Sequence, residues 1–80
     1  MGMNNADTTP VTLTLTPNHY GFRIGYCYAD DCHGISGDVF HSDLDLAVSD
    51  VLASWGRRGR NVIRVMTRDA AGDLQVVWEA

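Results

Sequence analysis

Cysteine and histidine are the residue types in this chain that bind metals or act as nucleophile and base. Cys27, Cys32, His33 and His41 lie in one short segment. A structural zinc site takes thiolates from a tight Cys-x₂₋₄-Cys knuckle and completes its tetrahedron from a second paired element. Here the spacing is Cys-x₄-Cys-His with a lone His41 further on, and no second pair follows. The segment therefore reads as local packing and loop, and neither metal nor cofactor is expected. A nucleophilic Cys32 would need His33, His41 or His19 as its base. Adjacent residues on a strand point to opposite faces, so Cys32 and His33 pair poorly. No oxyanion-hole motif accompanies them. No catalytic residue is assigned, and the chain reads as a non-enzyme. Gly34-x-x-Gly37 lacks the Lys-Ser/Thr that completes a P-loop. Gly56-Arg57-Arg58-Gly59-Arg60 has the composition of a solvated basic turn.

The charge distribution is more informative. The chain carries ten acids and six bases, a formal charge of −4, and every base is Arg. From Ile24 through Gly56 the acids are Asp30, Asp31, Asp38, Asp43, Asp45 and Asp50, with no Arg among them. From Val51 to Arg68 the sign reverses, with Arg57, Arg58, Arg60, Arg64 and Arg68 and no acid. Helix-dipole complementarity and solubility account for part of this segregation. The sharper reading is an acidic lobe built from those six aspartates that docks on a basic, nucleic-acid-binding protein surface, where complementary charge speeds association and fixes register. An acidic domain is repelled by phosphate backbones, so no direct nucleic-acid partner is expected.

The elements that must position these residues follow from periodicity. Residues 1–10 read as a flexible lead, with Met1-Gly2 ahead of Met3 as an expression scar, and 11–80 as one domain. Val11 to Thr16 alternates strictly, with Val11, Leu13 and Leu15 on one face and threonines on the other. Pro17-Asn18-His19 has turn chemistry. Tyr20 to Tyr28 is a second strand, with Tyr20, Phe22, Ile24, Tyr26 and Tyr28 sharing a face. Ala29 to Cys32 reads as a turn, and His33 to Phe40 as an irregular third strand weakened by Gly34 and Gly37. Ser42 is the expected helix cap, with Asp45 completing an acidic capping box. Leu44, Ala47, Val48, Val51, Leu52 and Trp55 then form one apolar stripe at helical spacing, and Gly56 is the expected stop. Asn61 to Arg68 and Leu74 to Trp78 form a closing hairpin around Asp69–Asp73, with Leu74, Val76 and Trp78 on one face. The fold class is α+β: an antiparallel sheet of four to five strands in the order ββ(β)αββ, with one amphipathic helix packed on one face. Thr12, Thr14, Thr16 and Arg23 then lie on the other, wet face, with either Arg64 or Ile63.

Length and composition bound the class. Eighty residues make one domain, with stability on the order of 4–12 kcal/mol and little room for an elaborate buried polar site. No apolar run approaches the ~20 residues of a membrane span. The polar N-terminus lacks a signal pattern, so the two cysteines are expected as free thiols in a reducing, cytoplasmic compartment.

Taken together, the strand Tyr20-Gly21-Phe22-Arg23-Ile24-Gly25-Tyr26-Cys27-Tyr28, the Ser42-to-Trp55 helix and the closing hairpin resemble the small phage-encoded anti-CRISPR proteins, in particular inhibitors of type I-C Cascade. The resemblance rests on size and overall pattern across nearly the whole chain, and no functional residue is carried over by motif. It implies a non-enzymatic inhibitor in the host bacterial cytoplasm. Such an inhibitor would bind the basic target-DNA surface of the Cas7 and Cas8 subunits, as a monomer or weak homodimer, and mimic DNA through its aspartates. Other classes compete with it. One is a small antitoxin or regulatory domain that masks a partner protein. Another is a nucleic-acid binder acting through the arginines of 57–68. A third is a self-associating module that pairs through the last strand.

Overall fold

A computed structural model gives the architecture; it describes residues 9–28 and 34–80 in full and residues 31–33 through their backbone. The elements run β1 (Pro10–Asn18), β2 (Gly21–Tyr28), β3 (Asp31–Val39), α1 (Leu44–Arg57), β4 (Asn61–Arg68) and β5 (Leu74–Glu79). This is an α+β domain with the expected order. The five strands form one sheet in the order β3-β2-β1-β4-β5.

β1 is the central strand, and its strict alternation gives it one buried and one open face. Val11, Leu13 and Leu15 are completely buried, while Thr12, Thr14 and Thr16 stay half-exposed on the opposite face. β2 returns antiparallel to β1, with Leu15 opposite Ile24 and Leu13 opposite Tyr26, so both apolar sets share a face. Across that face lies α1, whose stripe of Ala47, Val48, Val51 and Trp55 is buried, with Leu44 and Leu52 packed against it. Val39 and Val65 complete the core, and Trp78 covers it from β5. The wet face carries the threonines, Arg23 and Arg64; Arg64 donates from Nε and an Nη to Glu79 Oε2 at 3.0 and 2.9 Å.

One strand pair departs from the antiparallel expectation. β4 runs parallel to β1, with Val65 beside Leu13 and Thr67 beside Leu15. The cause is the crossover: β3 is already parallel to β1, and α1 carries the chain back over β2 and β1 before β4 begins. The Thr67 hydroxyl, buried in this pair, donates to the Leu15 carbonyl at 2.9 Å.

Several local expectations are corrected. β1 takes in Pro10, which pairs with Asn61, and extends to Asn18, so the first turn falls at His19 and Tyr20. Tyr20 therefore leaves the face shared by Phe22 and Ile24 and stands 67% exposed. β3 begins at Asp31, within the segment expected as a turn; residues 29–30 lie outside the described residues. This early start places the backbones of Cys27 and Cys32 opposite each other. Cys27 is disulfide-bonded, which corrects the expectation of free thiols.

The helix is capped by Asp43 instead of Ser42. Asp43 accepts from the N–H groups of Asp45 at 2.9 Å and Leu46 at 3.4 Å. A carboxylate there satisfies orphan donors and meets the positive end of the dipole at once. At the other end the helix passes through Gly56 to Arg57, with Arg58 as its C-cap, and the chain turns away at Gly59, whose φ of 76° lies in the left-handed region. Gly59 N–H donates to the Gly56 carbonyl at 2.9 Å and Arg60 N–H to the Trp55 carbonyl at 3.1 Å, the paired bonds of a Schellman motif. In the last hairpin a bulge intervenes: Val65 faces Trp78, but Met66 faces Val76. The extra residue reverses the alternation, so Trp78 joins the core while Leu74 and Val76 turn to the open face.

Candidate partner-binding surface

The acidic stretch does not fold into one element. Asp43, Asp45 and Asp50 belong to the cap and first two turns of α1, all exposed. Among the described residues no Arg or His nitrogen lies within ion-pair distance of these three carboxylates. Asp38, next to last in β3, is close in sequence to the helix start but on the opposite sheet face, beside Arg23. Its carboxylate lies 3.8 Å from Arg23 Nε and accepts from Asn18 Nδ2 at 3.1 Å. A partly exposed pair at that distance is weak. Asp31 opens β3 at the far end of the ladder, where only its backbone is described, and Asp30 lies outside the described residues. The ladder sets Asp38 opposite Arg23 and Asp31 opposite Tyr28, five residues apart on β2, so at about 3.3 Å per residue the two ends are separated by roughly 16 Å. Asp38 and the capping region of Asp43 and Asp45 thus lie on either side of the β3–α1 connection and on opposite faces of the sheet, with Asp50 further along the helix.

The β3–α1 connection carries a feature that periodicity did not reveal. Tyr20 in the β1–β2 turn and Phe40 after β3 are 67% and 71% exposed, and their rings meet edge to face at 6.1 Å. Asn18 organises the approach: its Oδ1 accepts from Tyr20 N–H at 2.9 Å while its amide donates to Asp38. Gly21 does the rest. With φ at 140°, an added Cβ would come within 2.4 Å of the Val39 carbonyl and 2.7 Å of the His41 carbonyl. Only a glycine lets the turn lie directly against the segment that carries Phe40. A sequence signal existed in Asn18, whose side chain favours a turn two residues on, which would have released Tyr20 from the strand.

This end of the domain therefore exposes an aromatic pair tied through Asn18 to the Asp38 carboxylate, and Asp43, Asp45 and the exposed apolar Leu46 follow Phe40 within six residues of chain. Aromatic faces accept guanidinium and ammonium groups through the ring quadrupole, and carboxylates accept their hydrogen bonds. Among the described residues no group of three or more His, Cys, Asp and Glu side chains is placed to hold a metal ion. Nor is any helix there long and apolar enough to cross a membrane. No protein-family model, no curated protein and no solved structure matches the chain.

Proposed function

We propose that this protein is a non-enzymatic inhibitor that binds a CRISPR type I-C Cascade complex in the bacterial cytoplasm. In this reading it blocks target-DNA binding by laying its acidic surface on the basic Cas7 and Cas8 residues that would otherwise hold phosphates. The observation that supports it most directly is the exposed Tyr20–Phe40 pair, tied to Asp38 through Asn18 and followed in the chain by the exposed Asp43 and Asp45. Carboxylates alone would give a salt-sensitive encounter. Aromatic anchors add the desolvated contacts on which affinity depends. A partner rich in Arg and Lys satisfies both, through cation–π contacts to the rings and charge-assisted hydrogen bonds to the acids.

The test is inhibition of target-DNA binding by purified type I-C Cascade. Asp45 and Asp50 are exposed, and neither carboxylate makes a hydrogen bond among the described residues, so Asp45→Lys with Asp50→Lys changes charge without removing a structural bond. The double variant should lose inhibition while keeping its circular dichroism spectrum, and Tyr20→Ala with Phe40→Ala should lose it as well. A folded double-lysine variant that inhibits like the parent, or a parent that does not bind the complex, overturns the reading.

A further inference from the structure

The sheet ends in two edges, β3 and β5, and they are built differently. β3 is a poor template for a further strand. Its ladder with β2 shifts register twice, Gly34 and Gly37 sit at φ of 99° and 156°, and Asp31 and Asp38 place charge along it. Irregular backbone and charged residues of this kind keep a sheet edge from pairing. β5 lacks them where it begins. The stretch Leu74-Gln75-Val76-Val77-Trp78 contains neither a charge nor a proline, and the bulge against β4 comes only after Val76.

Leu74 is 45% and Val76 49% exposed, on the open face beside Arg68 and half-buried Met66 of β4. The backbone of the same two residues is turned outward. Asp73 directs its carbonyl toward β4, where it accepts from Asp69 N–H at 2.9 Å. Hydrogen-bonding groups alternate sides along a strand, so those of Leu74 and Val76 point away from β4. Among the described residues no strand pairs with that side. An apolar edge left in this state is a template for another strand. A second copy of this chain fits it about a two-fold axis at Gln75. Leu74 then stands opposite Val76 of the second copy, and the axis repeats the pair, each exchanging both backbone hydrogen bonds. The register also separates like charges, setting Asp73 against Val77 and Glu79 against Ala71. An axis at Val76 would instead set Asp73 against Glu79. Because the β3 edge is blunted, association closes at two copies and does not run on into a fibre.

We propose that this protein forms a homodimer by antiparallel β5–β5 pairing, with Leu74 opposite Val76 across a two-fold axis at Gln75, so that two five-stranded sheets become one. On the open face the two leucines and two valines cover one another and continue into Met66 of each copy. β5 and β3 bound opposite sides of the sheet, so the dimer stands or falls separately from the inhibitor reading.

The test is sedimentation equilibrium of the full chain over a micromolar-to-millimolar concentration series, with amide shifts of the ¹⁵N-labelled protein followed in parallel. A small interface is weak, so the mass should climb with concentration toward twice that of the monomer, and the accompanying shifts should centre on residues 73–77. Leu74→Lys and Val76→Glu should each weaken association roughly tenfold, because a charge then meets an apolar side chain at the axis. Combined in one chain, the two set Lys opposite Glu and should recover association to within about threefold of the parent. Both side chains are exposed, so each variant should keep the parent circular dichroism spectrum. If one does not, the concentration-dependent shifts of the unsubstituted chain decide the matter. A mass that stays monomeric throughout, shifts centred elsewhere, single variants that associate like the parent, or a combined variant no better than the single ones would each overturn the proposal.

Discussion

Replacing Gly21 with alanine tests the structural claim on which the aromatic end depends. Two costs combine. A side chain at a φ of 140° is strained, by roughly 1–2 kcal/mol on the scale of a left-handed residue. The new Cβ would also stand 2.4, 2.7 and 2.9 Å from the Val39 carbonyl oxygen, the His41 carbonyl oxygen and the His41 nitrogen. All three are backbone atoms, so relief requires the 39–41 segment to move, and Val39 is paired with Phe22 in the sheet. Overpacking of that kind costs about 1–3 kcal/mol. The expected loss is therefore about 2–5 kcal/mol, a large part of the 4–12 kcal/mol expected for a chain of this size. Gly72→Ala is the matched control: φ is 90°, but nothing lies within 4 Å of the added carbon, so only the backbone strain applies. Both substitutions change the unfolded chain equally, and that contribution cancels in the comparison. Urea unfolding followed by circular dichroism gives the two differences. If Gly21→Ala and Gly72→Ala agree within about 0.5 kcal/mol, the turn does not press on the Phe40 segment and the reasoning is wrong.

Other consequences are as direct. Asp43→Ala removes the carboxylate that accepts from Asp45 and Leu46 N–H and should cost about 1 kcal/mol, whereas Ser42→Ala should cost almost nothing; equal effects in thermal melts would return the cap to Ser42. Thr67→Val deletes the buried bond to the Leu15 carbonyl across the parallel pair and should destabilise by about 1 kcal/mol, measured by denaturant midpoint at unchanged slope. Asp69 accepts from Asp73 N–H, and from Gln75, Ala71 and Gly72, which together hold its carboxyl below the ordinary value of 3.8 against a smaller opposing effect of desolvation. A lowered folded pKa means a contribution present above the unfolded value and lost as pH falls through the folded one. Stability should therefore decline below about pH 4 more steeply in the parent than in Asp69→Asn, and parallel acid limbs in pH-dependent unfolding would contradict this.

How much of this was legible depended on whether a residue's position was fixed locally. The stripe from Leu44 to Trp55 and the alternation from Val11 to Leu15 were readable because each repeats the period of its own element, and both are buried as expected. The face of Leu74 and Val76 was not readable. Parity along a strand survives only until a bulge, and the bulge opposite Val65 and Met66 is a property of the β4–β5 pair. The site divides in the same way. Asp43, Asp45 and Asp50 could be placed on the helix from spacing alone, but the distance between Asp38 and Asp31 follows from a β2–β3 ladder that starts at Asp31 and shifts register twice.

Residue types and local periods alone set the order of the elements, the apolar faces of β1 and α1, the net negative charge and the absence of any recognisable catalytic motif. These depend on residue type and on neighbours within a turn or two of chain. Tertiary structure decided that β1 is central and parallel to β4, that Tyr20 meets Phe40 across twenty residues, and that β3 and β5 form the two edges of the sheet. Each of these is a choice of partner between distant segments. That choice is set by where the helix crosses the sheet and how closely Gly21 lets two loops approach, and neither is encoded in the period of any single segment.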